Sequence, residues 1–215
     1  MNPSLRNIGL AVVLLGLPRI ASAHRLDEYL QATRISIAAG RIDAEINLTP
    51  GAAVADDVFA AIDRDHSGEI SKAEAASYAR SFVESLSLDV DGQRHSLTLG
   101  SYSMPTLEDM RRGEGVIRLH AMAAIPAAPA GRHHLRFANT HRADIGVYLV
   151  NAFLPTDERI RINGQSRDML QREFDMDYSI SARENGFEMA AALPPILGLA
   201  LAAAFFAVAR RFREA

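Results

Sequence analysis

The chain has 215 residues, of which 48% are hydrophobic and 23% charged, and its formal net charge is −3. This balance excludes an intrinsically disordered chain, and the mildly acidic charge argues against a nucleic-acid-binding protein. Because the sequence contains no cysteine, disulfides, zinc–thiolate sites and cysteine nucleophiles are excluded as well.

The first 23 residues have the pattern of a secretory signal peptide. Arg6 lies in a short polar head, an apolar run follows at residues 8–17, and Ala21–Ala23 offer the small residues of a cleavage site. We predict that residues 1–23 are removed and that the mature chain starts at His24, outside the cytoplasm. The alternative is an uncleaved anchor helix, but such a helix needs ~20 apolar residues, more than this run offers.

Residues 24–188 are predicted to form one extracytoplasmic, mainly β domain. Segments 33–38 and 41–48 alternate between apolar and polar side chains, and a tight turn is expected between them. Asp91–Gly92 predicts a second hairpin, because type I′ turns require positive φ. The remaining candidate strands are 86–90, a return strand holding Leu97 and Leu99, 115–124, 132–139, 145–153, 158–163 and 172–181. About nine short strands at this spacing predict an antiparallel β-sandwich.

A helix–loop–helix is expected to interrupt the strands at residues 54–86. Apolar residues recur at helical spacing on both sides of residues 63–74, and this loop follows the pattern of an EF-hand calcium site. Gly68 permits the sharp turn, and Ile70 packs under the loop. The predicted ligands are Asp63, Asp65, Ser67, Glu69 through its backbone carbonyl, Ser71 through a water molecule, and Glu74 as a bidentate carboxylate.

Calcium requires this pattern because it is a hard cation that takes six to eight oxygen ligands. A curled loop can supply that number by alternating side-chain and backbone oxygens. We expect weak affinity, ~10⁻⁴–10⁻³ M, as in extracytoplasmic modules, and a mainly structural role. The alternative is a helix–turn–helix whose acidic turn binds no metal. Since the sequence offers no second loop, this hand is expected to pack on the β-domain or to pair across a dimer.

A second hypothesis is a copper or nickel site at the mature N-terminus. The α-amine and imidazole of His24 together could chelate such a metal if a second histidine assisted. The possible partners are His95, His120, His133, His134 and His141. His133 and His134 are adjacent on a predicted strand, so they should point to opposite faces. The sequence has no recognisable catalytic motif, and we expect no enzymatic activity; a hydrolase is a third possibility.

The C-terminal segment is predicted to cross a membrane. Residues 189–209 contain no charged side chain, and Arg210, Arg211 and Arg213 follow directly. This length matches the ~20 residues of a spanning helix, and the arginines place the tail, residues 210–215, in the cytoplasm. Pro194–Pro195 shortens the uninterrupted helix. We expect this segment to be a permanent anchor in the inner membrane that holds the domain in the periplasm. The alternative is a sorting signal that is cleaved off.

Several segments together resemble a bacterial group of EF-hand proteins of the cell envelope. They are residues 24–33, Thr49–Gly51, the loop 63–74 and Val147–Ala152. The chain is also similar to the extracytoplasmic N-terminal region of HupE/UreJ-type membrane proteins, which are relatives of nickel permeases. The multi-helix permease part of that family is missing, and a single C-terminal apolar segment takes its place. The resemblance therefore implies at most an accessory role beside a membrane metal permease.

Overall fold

The computed structural model describes residues 27–182, which form two five-stranded β-sheets and three helices. The strands are β1 Tyr29–Ala38, β2 Arg41–Pro50, β3 Leu86–Val90, β4 Gln93–His95, β5 Thr98–Ser103, β6 Ile117–Ala124, β7 Gly131–Asn139, β8 Gly146–Ala152, β9 Ile160–Arg167 and β10 Glu173–Ile180. The helices are α1 Ala55–Ile62, α2 Lys72–Glu84 and α3 Leu107–Arg111. The prediction of a mainly β domain is confirmed.

The predicted terminal features lie outside the described residues: the signal peptide 1–23, His24, the transmembrane segment 189–209 and the tail 210–215. Within residues 27–182, none of the helices has the length and apolar character needed to cross a membrane.

Sheet A has the strand order β5-β6-β2-β1-β8, and sheet B has the order β4-β3-β7-β10-β9. The prediction of a purely antiparallel arrangement is wrong for one pair, because β1 and β8 run parallel from Tyr29 opposite Gly146 to Ile35 opposite Ala152. The reason is the crossover before β8. A tight hairpin forces antiparallel pairing, whereas a chain arriving from the other sheet can join in either direction. The other pairs among the described strands are antiparallel.

The single return strand predicted around Leu97 and Leu99 is in fact two strands in different sheets. The hairpin at Asp91–Gly92 forms as expected, with positive φ at both residues. Its second arm, β4, ends at His95, and the chain then crosses to sheet A, where β5 starts at Thr98. Leu97 lies at this crossing and packs against both buried clusters of the domain. Alternation alone could not reveal the crossing, because Leu97 and Leu99 alternate with polar residues across it, as they would in one continuous strand.

The inner face of sheet A is covered by two different partners along its length. Near the β1–β2 turn it faces sheet B, and the buried side chains form the inter-sheet cluster, which includes Ile35, Ile37, Ile42, Leu88, Leu135, Phe137, Val150, Phe174 and Met176. At the other end of β1 and β2 it faces the helices, and the buried side chains form the helical cluster, which includes Tyr29, Ile46, Leu48, Val58, Phe59, Ile62, Tyr78, Phe82, Met110 and Ile117. The helices therefore complete the core where sheet B ends, and the arrangement is consistent with a β-sandwich.

The helix–loop–helix forms at the predicted place, with one boundary corrected. The apolar faces predicted for α1 and α2 are buried in the helical cluster. Helix α2 ends at Glu84, and Leu86, predicted to extend it, is the first residue of β3. Ser85 caps α2 in the αR conformation and leads directly into the strand.

Candidate metal centre

Helices α1 and α2 hold a group of three carboxylates between them. Asp63 directly follows the last residue of α1, and Glu74 is the third residue of α2. One ligand oxygen from each of Asp63, Asp65 and Glu74 lies within 4.8 Å of the others. The structure thus brings together three of the six predicted ligands, which are eleven positions apart at most.

The first half of the loop curls around the side chain of Asp63. Its Oδ1 accepts a hydrogen bond from the Ser67 backbone N–H at 3.0 Å, and its Oδ2 accepts one from Gly68 at 2.9 Å. The Ser67 N–H is also 3.0 Å from Asp65 Oδ1. The turn requires φ of +84° at Gly68, a conformation that strains residues with a Cβ. This explains the glycine that the loop pattern demands.

Glu74 connects the second helix to the first turn of the loop. Its Oε1 accepts hydrogen bonds from the backbone N–H groups of Arg64 at 2.7 Å and Asp65 at 3.3 Å. Its Oε2 accepts from the N–H of Ser71 at 3.0 Å and from the Ser71 hydroxyl at 2.7 Å. Ser71 and Glu74 form the capping box of α2, so helix capping and ligand placement use the same side chains.

These hydrogen bonds keep the carboxylates ionised. The hydroxyl and N–H of Ser71, with smaller contributions from Asp65 and Arg64, lower the pKa of Glu74 to about 2. Burial opposes ionisation of Asp63, but the hydrogen bonds donated by the backbone N–H groups of Gly68 and Ser67 outweigh it, so its pKa is also lowered. Both groups are therefore in the form that ligates a cation at neutral pH.

The remaining predicted ligands lie along the same loop. The Ser67 hydroxyl donates to the backbone carbonyl of Glu69 at 3.0 Å, which places these two oxygens side by side. The side chain of Glu69 is exposed, in agreement with a role for its carbonyl alone. The Ser71 hydroxyl is engaged with Glu74, and its water-mediated contact stays a prediction.

The loop rests on the helical cluster. Ile62, immediately before Asp63, is 1% exposed, and Ile70 packs against the cluster from within the loop. Movement of either end of the loop would therefore disturb packed side chains, which couples the loop to the core.

A buried polar chain beneath α2 was not predicted from the sequence. The Tyr29 and Tyr78 hydroxyls are 2.8 Å apart, and the Tyr78 hydroxyl is 3.1 Å from His141 Nε2. Burial, helped by the charge of Arg142, lowers the pKa of His141 to about 4, so its imidazole is neutral at neutral pH. This series of hydrogen-bonded side chains ties α2 to β1 and to the segment before β8. Its members are far apart in sequence, so no local pattern indicates it.

Three of the histidines proposed as partners of His24 have carboxylate neighbours of their own. His120 Nε2 lies 3.0 Å from Asp43, and His133 Nδ1 lies 2.7 Å from Asp91. His134 lies between the carboxylates of Asp175 and Asp177. His133 is buried and His134 is exposed, which confirms that they point to opposite faces.

Within residues 27–182, the carboxylate group of the loop is the one set of three or more His, Asp or Glu side chains whose ligand atoms converge. The copper or nickel hypothesis depends on His24, outside these residues, and stays a prediction.

No protein-family model matches this chain, and no curated protein is significantly similar to it.

Proposed function

We propose that this chain is a membrane-anchored, extracytoplasmic calcium-binding protein, with a single EF-hand built into one end of a β-sandwich. One observation carries the proposal: Asp63, Asp65 and Glu74 converge between two helices that complete the hydrophobic core. The role that fits this placement is structural. The ion would fix the angle between α1 and α2 and thereby the packing of the helical cluster.

The donor set suits calcium better than other divalent ions. Three carboxylates, the Ser67 hydroxyl and the Glu69 carbonyl offer oxygen alone, which hard cations prefer. Magnesium demands a compact octahedron and keeps most of its water, whereas calcium accepts a bidentate carboxylate such as Glu74 would provide. Imidazole-preferring metals would need His66, which lies in the loop at positive φ, is exposed and belongs to no converging ligand group within residues 27–182.

Calcium binding should stabilise the domain, because the ligands belong to elements of the core. A ligand that binds only the folded state adds RT ln(1 + [L]/Kd) to the free energy of unfolding, about 1.4 kcal/mol at ten times Kd. For a domain of this size that corresponds to a rise of about 3–6 °C in Tm.

The cellular setting rests on the two terminal segments of the sequence. The signal peptide 1–23 and the apolar segment 189–209 favour a domain tethered outside the cytoplasm, where millimolar calcium can occupy a weak site. A single loop of this affinity is poorly suited to sensing, which supports the structural role.

Calorimetric titration of calcium into the purified full-length chain in detergent tests the proposal. We expect one ion per chain for the wild type and at least a tenfold loss of affinity for Glu74→Gln, since that substitution removes a ligand charge. Glu69→Gln is the matched control, because it removes the same charge from the same loop without touching a side-chain ligand. Equal affinities of the two variants, or no heat for the wild type at ~10 mM calcium, above the usual weak range, would contradict the proposal.

A further inference from the structure

The end of the domain from which the chain leaves β10 is built from three neighbouring loops. We call it the exit end: the β1–β2 turn (39–40), the β6–β7 loop (125–130), the β8–β9 loop (153–159) and Ile180. The N–H of Ile125 donates to the carbonyl of Gly40 at 3.0 Å, and the N–H of Ser181 donates to that of Arg159 at 2.8 Å. A cavity of about 90 Å³ is lined by residues of all four parts.

Apolar side chains project from this end into solvent. Leu154 is 86% exposed and Phe153 is 39% exposed. Phe153 is held in place, because its N–H donates to the Ile35 carbonyl at 2.8 Å and the guanidinium of Arg34 lies 5.1 Å from the centre of its ring. The neighbouring β6–β7 loop, Pro-Ala-Ala-Pro-Ala at 126–130, presents small apolar residues and no charge.

Two arginines flank the last residues of strand β10 on the outer face of sheet B. Arg132 on β7 and Arg161 on β9 lie on either side of Ser179. Neither guanidinium has a side-chain partner within residues 27–182. The depression that these two arginines line also contains the carboxylates of Asp91, Glu158 and Asp177, so acidic groups offset the two guanidinium charges.

The short stretch of chain between the domain and the uncharged segment 189–209 indicates what covers the exit end. Seven peptide steps separate Ala182 from Met189, where the uncharged segment 189–209 begins. Fully extended, they span at most about 25 Å. A bilayer crossed by that segment would lie within this reach of Ala182, two residues after the end of β10. The β9–β10 turn, which holds Met169, is a full eight-residue strand farther away, about 27 Å.

We propose that the exit end is a lipid-contacting surface. Leu154 and Phe153 enter the boundary between headgroups and acyl chains, where exposed apolar side chains gain by leaving water. Arg132 and Arg161 pair with lipid phosphates, which guanidinium groups bind in a fork geometry. Because the depression also contains the carboxylates of Asp91, Glu158 and Asp177, apolar contact dominates and zwitterionic lipid suffices. This inference rests on the membrane anchor in the proposed function.

A pair of single-cysteine variants tests it in the full-length chain, which has no native cysteine. Leu154→Cys and the matched control Met169→Cys are labelled with an environment-sensitive fluorophore and reconstituted in phosphatidylcholine vesicles. Met169 is a suitable control because it is 98% exposed and lies at the opposite end of β10. We expect a blue-shifted emission for the label at residue 154, quenched by lipid-attached quenchers, and a water-like, unquenched emission at residue 169.

The outcomes separate the failure of this inference from that of the anchor. If the chain sediments with the vesicles but both labels stay water-like, the anchor holds and the lipid-contacting surface is refuted. If the chain does not sediment with vesicles, both are refuted. A blue shift at residue 154 that persists in detergent and resists lipid-attached quenchers would indicate a protein contact and would also overturn the inference.

Discussion

The two halves of the inner face of sheet A are packed in different ways. The inter-sheet half is covered by strands of sheet B, and its buried side chains are almost all aliphatic or aromatic. The helical half is covered by α1, α2 and α3, and beside its apolar side chains it holds the polar chain of Tyr29, Tyr78 and His141. One half is thus closed by strands of a second sheet, the other by helices, two of which are joined by an acidic loop. Under the proposed function, calcium would act on the second half.

The largest expected contrast comes from removing one phenylalanine from each half. Phe82 on α2 and Phe174 on β10 are both fully buried, and replacement of either by alanine should lower the free energy of unfolding by about 3–5 kcal/mol. Phe82→Ala alone should also weaken calcium binding, because it loosens the helix that carries Glu74. Urea unfolding combined with calcium titration measures both effects. Equal calcium affinities in the two variants would erase the contrast.

A smaller effect is expected from breaking the polar chain of the helical half. Tyr78→Phe removes the hydroxyl shared by Tyr29 and His141 and leaves both without that partner, which should cost about 1–3 kcal/mol of stability. Tyr102→Phe is the control, since Tyr102 is 39% exposed and surface substitutions usually change stability by less than about 0.5 kcal/mol. Chemical denaturation of the two variants under identical conditions tests the difference. Equal midpoints would argue against a stabilising role for the hydrogen bonds of Tyr78.

Helix α3 offers a cap that can be removed without touching the loop. The Thr106 hydroxyl accepts a hydrogen bond from the Asp109 N–H at 3.1 Å, and Thr106→Ala should destabilise the domain by about 1 kcal/mol. We expect unchanged calcium affinity, because no ligand lies on α3. A loss of affinity would show that the helical half responds as one unit to any weakening.

The pKa values of His141, in the β7–β8 loop, and His134, on β7, are shifted in opposite directions. Burial lowers the pKa of His141 to about 4, so its contribution to stability is present above its ordinary pKa and is lost as the pH falls from there towards 4. Hydrogen bonds to Asp177 and Asp175 raise the pKa of His134. The contribution of His134 to stability is present below the ordinary histidine pKa and is lost as the pH rises through its raised pKa.

NMR titration of the imidazole resonances tests these directions. Because the His134 side chain is 47% exposed, its pairs should contribute no more than about 1 kcal/mol. His134→Asn should therefore lower stability slightly at pH 6 and leave it unchanged at pH 9. Identical pKa values for His134 and His141 would contradict the difference between their surroundings.

The sequence predicted the features that depend on neighbouring residues. The alternation of β1 and β2, the turn at Asp91–Gly92 and the helical faces around residues 63–74 all appear as expected, because each follows from local periodicity or from one turn type. The convergence of Asp63, Asp65 and Glu74 belongs to the same class, since a single loop brings them together.

The features that sequence patterns could not reveal arise from contacts between distant segments. The parallel pairing of β8 with β1 and the split at Leu97 depend on which sheet the chain joins after a crossing. The contact of Tyr78 with His141 joins residues 63 positions apart. Such choices are made by tertiary packing, which overrides local propensity.

The most direct test of the coupling between loop and core is thermal unfolding at increasing calcium concentration, for the wild type and Glu74→Gln. Because the three carboxylates lie in and beside the loop that joins two helices of the core, we predict that the Tm of the wild type rises continuously with calcium, by about 3–6 °C at ten times Kd. The Tm of Glu74→Gln should rise by no more than about 1–2 °C over the same range, because a site at least tenfold weaker is at most half occupied there. A wild type that binds calcium without any rise in Tm would contradict the coupling, as would an equal rise in both proteins.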